Sequence, residues 1–397
     1  MRVLYPSDVI IPDDALRRLS SATSGGPVCP QLRDLTWVSS YGWENMHQFL
    51  SPYLVSVTLR EVVRTGHSTD QALASAISLL PTTYLEVLDL DLDEIPHSAP
   101  IHSALSGVVQ RLSAHFRRLK TQSSLSDAAW AHLASLPNFT ELWVFHPPSA
   151  DISKLISHEN AFSALERVGI NVDNGHQRWS SLFSLLKSSP LQRVTIQDHA
   201  VPIQVTTAML EVGLQRSVNA LIFTELDPAS LTFVSHLGLF SSLKTLRCYT
   251  QCGWSGQCVF PPTDSDIERL ASGLPQLVIL RMGHACRYRH QNTTIRSMIS
   301  FSTHCLSLKE LHLPCDLTNV AEDAKTESGE PDPKLEIRSP CTLELLAFGW
   351  IAMPPLDDIQ ASRVVVLALH HLFPCLWPTS HELEAVWKAT LDTVEDS

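Results

Sequence analysis

The side chains best suited to chemistry lie close together. Cys248, Cys252 and Cys258 stand at C-x3-C-x5-C spacing, with His284 and Cys286 downstream, so one stretch offers four or more soft metal ligands. That spacing is not one of the common zinc patterns, and a free cysteine is also a small, well-buried hydrophobe. The 9 cysteines are odd in number and scattered without a framework, which points to reduced thiols. Structural cysteine is the expectation, and no metal or other cofactor is assigned. Nucleophilic chemistry finds no footing either. "GWSGQ" (Gly253 to Gln257) places its second glycine one residue too early for a nucleophile elbow. "HELEA" (His381 to Ala385) ends in alanine where a zinc-binding helix needs a second histidine. The 15 glycines do not gather into a phosphate cradle. The chain reads as a non-enzyme.

Composition and charge exclude further classes. The chain has 397 residues, 44% apolar and 18% charged, which is ample for a sizeable core. Its net charge of −12 is concentrated: residues 316–336 contribute −5 and residues 381–397 contribute −4, leaving −3 for the rest. With a pI of about 5.8 and no basic face, a nucleic-acid partner is not expected. The opening "MRVLYPSDVIIPDD" reaches an acidic pair before a signal-peptide core can form. The run "RVVVLALHHLF" is too short to span a bilayer, so no membrane partner is expected. A cytoplasmic or nuclear location suits the reduced thiols.

One device must position everything else. The pattern apolar-x-x-apolar-x-apolar begins at Leu32 ("LRDLTW"), Leu54, Leu85, Phe116, Phe139, Leu165, Leu191, Val218, Leu243, Leu277, Leu308, Leu343 and Val364 ("VVVLAL"). The starts lie 21 to 35 residues apart and average about 28. The fourth and sixth hexad positions alternate as in a strand and point into one core. A single such strand cannot bury its apolar side, whereas stacked parallel copies form a continuous sheet. Between hexads the chain reads as helix. "STDQALASAISLLP" sets Leu73, Ile77 and Leu80 on one stripe and stops at Pro81. "SLSDAAWAHLASLP" and "DSDIERLASGLP" share the recipe, the second with Gly273 as a C-cap. The expected fold is α/β, a leucine-rich-repeat solenoid (horseshoe) with a parallel concave sheet and outer helices, about 13 irregular repeats in all. The expected organisation is an N-terminal cap or remnant over 1–30, a repeat domain over 31–380 with an acidic loop insertion at about 317–340, and a C-terminal capping helix with an acidic tail over 381–397.

Units such as "LPNFTELWV" and "LPQLVILRM", with the opening "VCPQLRDLTWVSS" (Val28 to Ser40), resemble the leucine-rich-repeat regions of fungal F-box proteins over residues 28–372. The resemblance implies a protein-interaction solenoid, the substrate-recognition part of a ubiquitin-ligase subunit. It implies a Skp-type adaptor as partner only if an F-box is supplied upstream. Residues 1–27 are too short for that box, and "IPDDALRRLSSATSGG" matches it poorly. The ninth repeat position, usually Asn or Cys in this family, is Asp93, Asp173 and Asp316 in three copies and unrelated elsewhere. The alternative is a stand-alone leucine-rich-repeat scaffold unconnected to ubiquitin ligases.

In such a solenoid the residue between the fourth and sixth hexad positions, and the residue after the sixth, face the concave side. These columns collect Trp143 with Phe145 on the fifth hexad, and Arg247, Arg281 and His312 on three successive hexads with Tyr249 alongside. Aromatic residues and arginine carry most interface energy, so these are the candidate partner-binding residues. The cations suit an acidic or phosphorylated protein segment. The intervals from Leu243 to Leu277, Leu308 and Leu343 require protruding loops. The first carries Trp254 at its tip, the second carries "HACRYRHQ" with His284, and the third carries the acidic "NVAEDAKTESGEPDPKLE". Trp254 and His284 thus complete the candidate set on one elaborated rim. His370 and His371 adjoin within the last hexad strand, so they are expected on opposite faces with no shared metal. The final "HELEAVWKATLDTVEDS" is expected to cap the last unit with Leu383 and Trp387, and the protein is expected to be a monomer.

Overall fold

The computed structural model describes residues 3–4, 15, 18, 21, 26–38, 42–61, 70–92, 98–149, 152, 161–172, 179–197, 202–226, 228–250, 258–283, 288–318, 320, 343, 345–347, 359–373 and 377–378. The chain is α/β and divides into two units, residues 1–191 and 192–397. Among the described residues no helix is long and apolar enough to cross a membrane.

In the first unit, strands β1 (Val3–Leu4), β2 (Asp34–Val38), β3 (Ser56–Arg60), β4 (Val87–Asp91), β5 (Arg118–Thr121), β6 (Glu141–Val144) and β7 (Arg167–Asn171) lie side by side in chain order. Every neighbouring pair is parallel. Parallel neighbours need a crossover. Helices α1 (Asp70–Ser78), α2 (Ala99–Val109) and α3 (Asp127–Ser135) supply those after β3, β4 and β5, and α4 (Trp179–Leu185) follows β7. Each strand buries its fourth and sixth hexad residues, for example Leu88 and Leu90, or Leu142 and Val144. The expected helical stripe of Leu73, Ile77 and Leu80 is buried too. The first hexad positions Phe116 and Phe139 stack 5.8 Å apart in the core, and Phe162, just before the next hexad, lies 6.2 Å from Phe139. Burying each such side chain contributes about 1.5–3 kcal/mol, so these rows outweigh any single polar contact in the unit. Ser126 caps α3 by accepting from the Ala129 backbone N–H at 3.3 Å.

The second unit repeats the plan. Strands β8 (Arg193–Gln197), β9 (Ala220–Leu226), β10 (Thr245–Thr250), β12 (Ile279–Met282), β14 (Glu310–His312), β15 (Leu345–Ala347) and β16 (Trp377–Pro378) form its parallel sheet. Its helices are α5 (Pro202–Glu211), α6 (Asp264–Gly273), α7 (Ile295–His304) and α8 (Ile359–Leu372). A 3-10 segment, Pro228–Leu239, takes the place of a helix between β9 and β10.

Three sequence expectations are corrected here. First, "VVVLAL" lies inside α8 and is not a strand. Val365, Val366, Leu369 and Leu372 are buried, whereas Val364 and Leu367, which the strand pattern would bury, are each 36% exposed. A continuous apolar run satisfies both periods, and its 14-residue length decides for helix. His370 and His371 therefore sit about 100° apart on a helix, not on opposite faces of a strand. Second, the segment from Cys258 to Thr263, expected as loop, is strand β11. It pairs in parallel with β13 (Tyr288–Asn292), which comes from the next long interval. The two insertions thus hold each other. Pro261 and Pro262 fall where the register shifts between Phe260 and Thr263, so neither is paired in the ladder. The Asn292 side-chain amide donates to the carbonyls of Phe260 and Pro261, both at 3.4 Å. Third, Gly273 is not a left-handed C-cap. Positive φ occurs at Gly42, Gly213 and Gly283 and not at Gly273, whose role is steric.

Candidate interaction face

Alternation leaves one face of each sheet half-exposed, and hexad positions three and five line up across strands on that face. In the first unit this register builds a ladder of alternating charge. Arg60 on β3 pairs with Asp91 on β4, and Lys120 on β5 reaches Asp91 at 2.7 Å and Asp89 at 3.8 Å. Arg118 reaches Asp89 at 3.6 Å and Glu141 on β6 at 3.5 Å. Arg167 on β7 reaches Glu141 at 2.8 Å. Burial pushes the Asp89 carboxyl above the usual carboxylate range, while Lys120 and Arg118 pull it back. Most of these pairs are part-solvated, so each contributes at most about 1 kcal/mol, and the ladder's main effect is to neutralise the face.

Trp143 lies within this ladder. Its indole N–H donates to Glu141 Oε1 at 3.2 Å. A Cβ added at Gly169, its in-register neighbour on β7, would meet Trp143 Cδ2 at 2.2 Å and Cε3 at 2.3 Å. Cδ2 is a ring-fusion atom with three in-plane bonds, so the nearest approach must be to the face of the ring. The indole therefore lies with one face against Gly169, which explains why that position carries no side chain. Gly169→Ala is expected to push the ring off Glu141 and destabilise the protein by about 1–2 kcal/mol. In a Trp143→Ala background the same change should cost less than about 0.5 kcal/mol, and additive effects in a double-mutant cycle would exclude the contact. Phe145 follows β6 in a bend and is half-buried. It makes no ring contact with Trp143, so the expected aromatic pair is two separate residues.

In the second unit the register Ile222, Arg247, Arg281, His312 and Ala347 runs across β9, β10, β12, β14 and β15. The sequence brings the three expected cations onto adjacent strands, but they differ in state. Arg281 Nε donates to Glu310 Oε1, and Arg281 is also hydrogen-bonded to Tyr249. The bond to Glu310 is the main influence holding its proton more firmly than usual. His312 is 4% exposed, and its Nδ1 donates to the Met282 carbonyl at 2.9 Å. It is thus a structural histidine, not the open-face cation expected. Arg247 is half-buried, and its Nε is enclosed with no acceptor among the described residues. Cys248 fills a core position at 0% exposure, and burial pushes its thiol well above the ordinary range. Trp254, His284, Cys252 and Cys286 lie outside the described residues, as do Asp93, Asp173 and the acidic loop at 321–342.

Neither a comparison with protein-family models nor one with curated proteins yields a match. The face must be read from its own chemistry.

The third hexad column carries functional residues that the fifth column alone does not show. Glu141 and Glu310 stand two residues before Trp143 and His312, at the third hexad position, and they decide which cations are already paired. Reading the third column beside the fifth would have found both. Away from the sheet faces, Tyr53 and Tyr84 stack at 6.1 Å just before β3 and β4 and are 48% and 49% exposed.

Proposed function

We propose that the chain is a leucine-rich-repeat solenoid that binds a protein partner, resembling the substrate-recognition part of an F-box ubiquitin-ligase subunit, and that it is not an enzyme. The observation that carries this reading is the in-register sheet face. Strand after strand places polar, charged or aromatic side chains on one side and core residues on the other. A face of that kind suits recognition, with arginine and tryptophan as anchors. The strand–helix alternation at hexad spacing supports about 13 irregular repeats with a concave sheet, although the thirteenth hexad contributes a helix. Reduced, buried thiols at Cys248, Cys305 and Cys315 favour a cytoplasmic or nuclear setting.

Affinity purification of the tagged full chain from cells tests this reading. Recovery of a Skp-type adaptor and a cullin together with a further protein supports the ubiquitin-ligase role. A protein partner recovered reproducibly without the adaptor supports the stand-alone scaffold. A chain that recovers no protein after chemical crosslinking overturns both.

A further inference from the structure

We propose that Arg247 is the anion-receiving residue of the second unit and that it takes the carboxylate or phosphate of an acidic segment of a protein partner. The inference rests on the protein-binding reading above and narrows it to one residue and one chemistry. It begins from how the cations of the two sheet faces are used. Arg60, Arg118, Lys120, Arg167 and Arg281 each reach a carboxylate. Arg247 reaches none among the described residues, and its Nε, like that of Arg118, is buried without a hydrogen-bond partner. A guanidinium stays charged at any physiological pH, and a half-buried one with no carboxylate beside it can take its counter-ion from outside the fold. Arg193, at the start of β8, is exposed, so water solvates it.

The surroundings of Arg247 fit an incoming acid. Ile222 stands in register on one side and Arg281 on the other, and Thr245 and Tyr249 flank it along β10. Arg281 is already neutralised by Glu310 and adds little repulsion. On the neighbouring strand β9, Glu225 accepts from Gln197 Nε2 at 2.8 Å. Glu225 belongs to a bulge in β9, where Cys248 faces Phe223 but Thr250 faces Leu226, and its φ is 63°. A non-glycine residue in that region is strained and persists only where its surroundings hold it, and here the carboxylate is held by Gln197. Ile222 lowers the polarity beside the guanidinium and strengthens any ion pair formed there. Arginine's planar fork matches the two oxygens of a carboxylate or phosphate.

The test uses the full chain and three pools of random peptides that differ only in a fixed central residue: aspartate, phosphoserine or serine. Binding is read by fluorescence polarisation. The expected result is at least about tenfold tighter binding of one or both acidic pools than of the serine pool. The stronger acidic pool identifies the source of the anion. R247Q should abolish that preference, R247K should restore only part of it, and R193Q, which removes the same net charge, should retain it. Circular dichroism melts confirm that each variant is folded. No acidic preference, or a preference that survives R247Q in a folded protein, overturns the inference. A photo-crosslinking residue at Ile222 separates this failure from that of the broader reading. A protein adduct formed equally with and without R247Q leaves protein binding standing and removes Arg247 from it. Absence of any adduct overturns the protein-binding reading itself.

Discussion

Asp264→Ala is expected to destabilise the second unit by about 3 kcal/mol, more than removal of any other single surface carboxylate. Asp264 opens α6, yet its carboxylate serves the next helix. Oδ1 accepts from the Thr294 backbone N–H at 2.8 Å and from the Ser297 hydroxyl, and Oδ2 accepts from the Thr294 hydroxyl at 2.8 Å. Hydrogen bonds to an ionised group contribute about 1.5–3 kcal/mol each, and three on one group are not additive. The hydroxyls can turn to water after the change, but the Thr294 N–H at the head of α7 is left short of its acceptor. Further ties follow from this point: Cys315 Sγ donates to the Thr294 carbonyl at 3.3 Å, and the Asp316 N–H donates to the Thr293 carbonyl at 2.8 Å. Asp264 is therefore the first link between three successive strand–helix units. Asp266→Ala is the control. It removes the Asp266 side-chain half of the α6 capping box and an exposed pair with Arg269 at 3.7 Å, and should cost about 1 kcal/mol. Urea midpoints, with amide exchange at Thr294 and Ile295, measure both. Equal losses for the two variants, or a shift below about 0.5 kcal/mol for Asp264→Ala, would exclude the inter-unit tie.

The hexads were legible because their information is local. A strand that buries its fourth and sixth residues announces both its period and its face, and Leu88 with Leu90 or Leu311 with Leu313 satisfy that pattern without reference to any other part of the chain. "VVVLAL" was misread for the same reason: six apolar residues cannot distinguish the two periods, and only the helical flanks from Ile359 to Leu372 do. The pairing of β11 with β13 was not legible at all. It joins segments about thirty residues apart whose sequences, "CVFPPT" and "YRHQN", carry no strand pattern of their own, and Phe260 anchors the first only through burial in the folded unit.

The candidate site shows the same division. Arg247, Arg281 and His312 were found as a column because register follows from hexad spacing. Their different states depend on tertiary partners: Glu310 for Arg281, the Met282 carbonyl for His312, and, among the described residues, no acceptor for Arg247 Nε. The two units also use charge differently. The first balances its face through Asp89, Asp91 and Glu141, so neutralising one member redistributes pairs among neighbours and should change little. The second has an enclosed cation with no such reserve, which is why substitution of Arg247 should act on binding and not on folding.

Gly273→Ala is expected to destabilise the second unit, reversing the usual effect of that substitution in a helix. In an unconstrained helix alanine is favoured over glycine by about 0.5–1 kcal/mol. At the last position of α6, however, an added Cβ would lie 2.2 Å from the Gly238 carbonyl oxygen and 2.6 Å from the Gly238 carbonyl carbon and Cα. These are backbone atoms of the 3-10 segment Pro228–Leu239, so no rotamer change can make room, and the two elements must part by more than 1 Å. Overpacking of this kind costs about 3 kcal/mol or more, which exceeds the gain in propensity and leaves a net loss of about 2 kcal/mol. Gly238 meets the same wall from the other side, since its Cβ would lie 2.9 Å from the Arg269 carbonyl oxygen. Gly107 in α2 supplies the opposite case: a Cβ there meets nothing within 4 Å. Gly107→Ala should therefore stabilise the first unit by about 0.5–1 kcal/mol, as propensity alone dictates. Thermal or urea melts of the two variants should move in opposite directions. If both move upward, the Gly238–Gly273 backbone contact does not constrain the fold, and Gly273 is a replaceable helix residue.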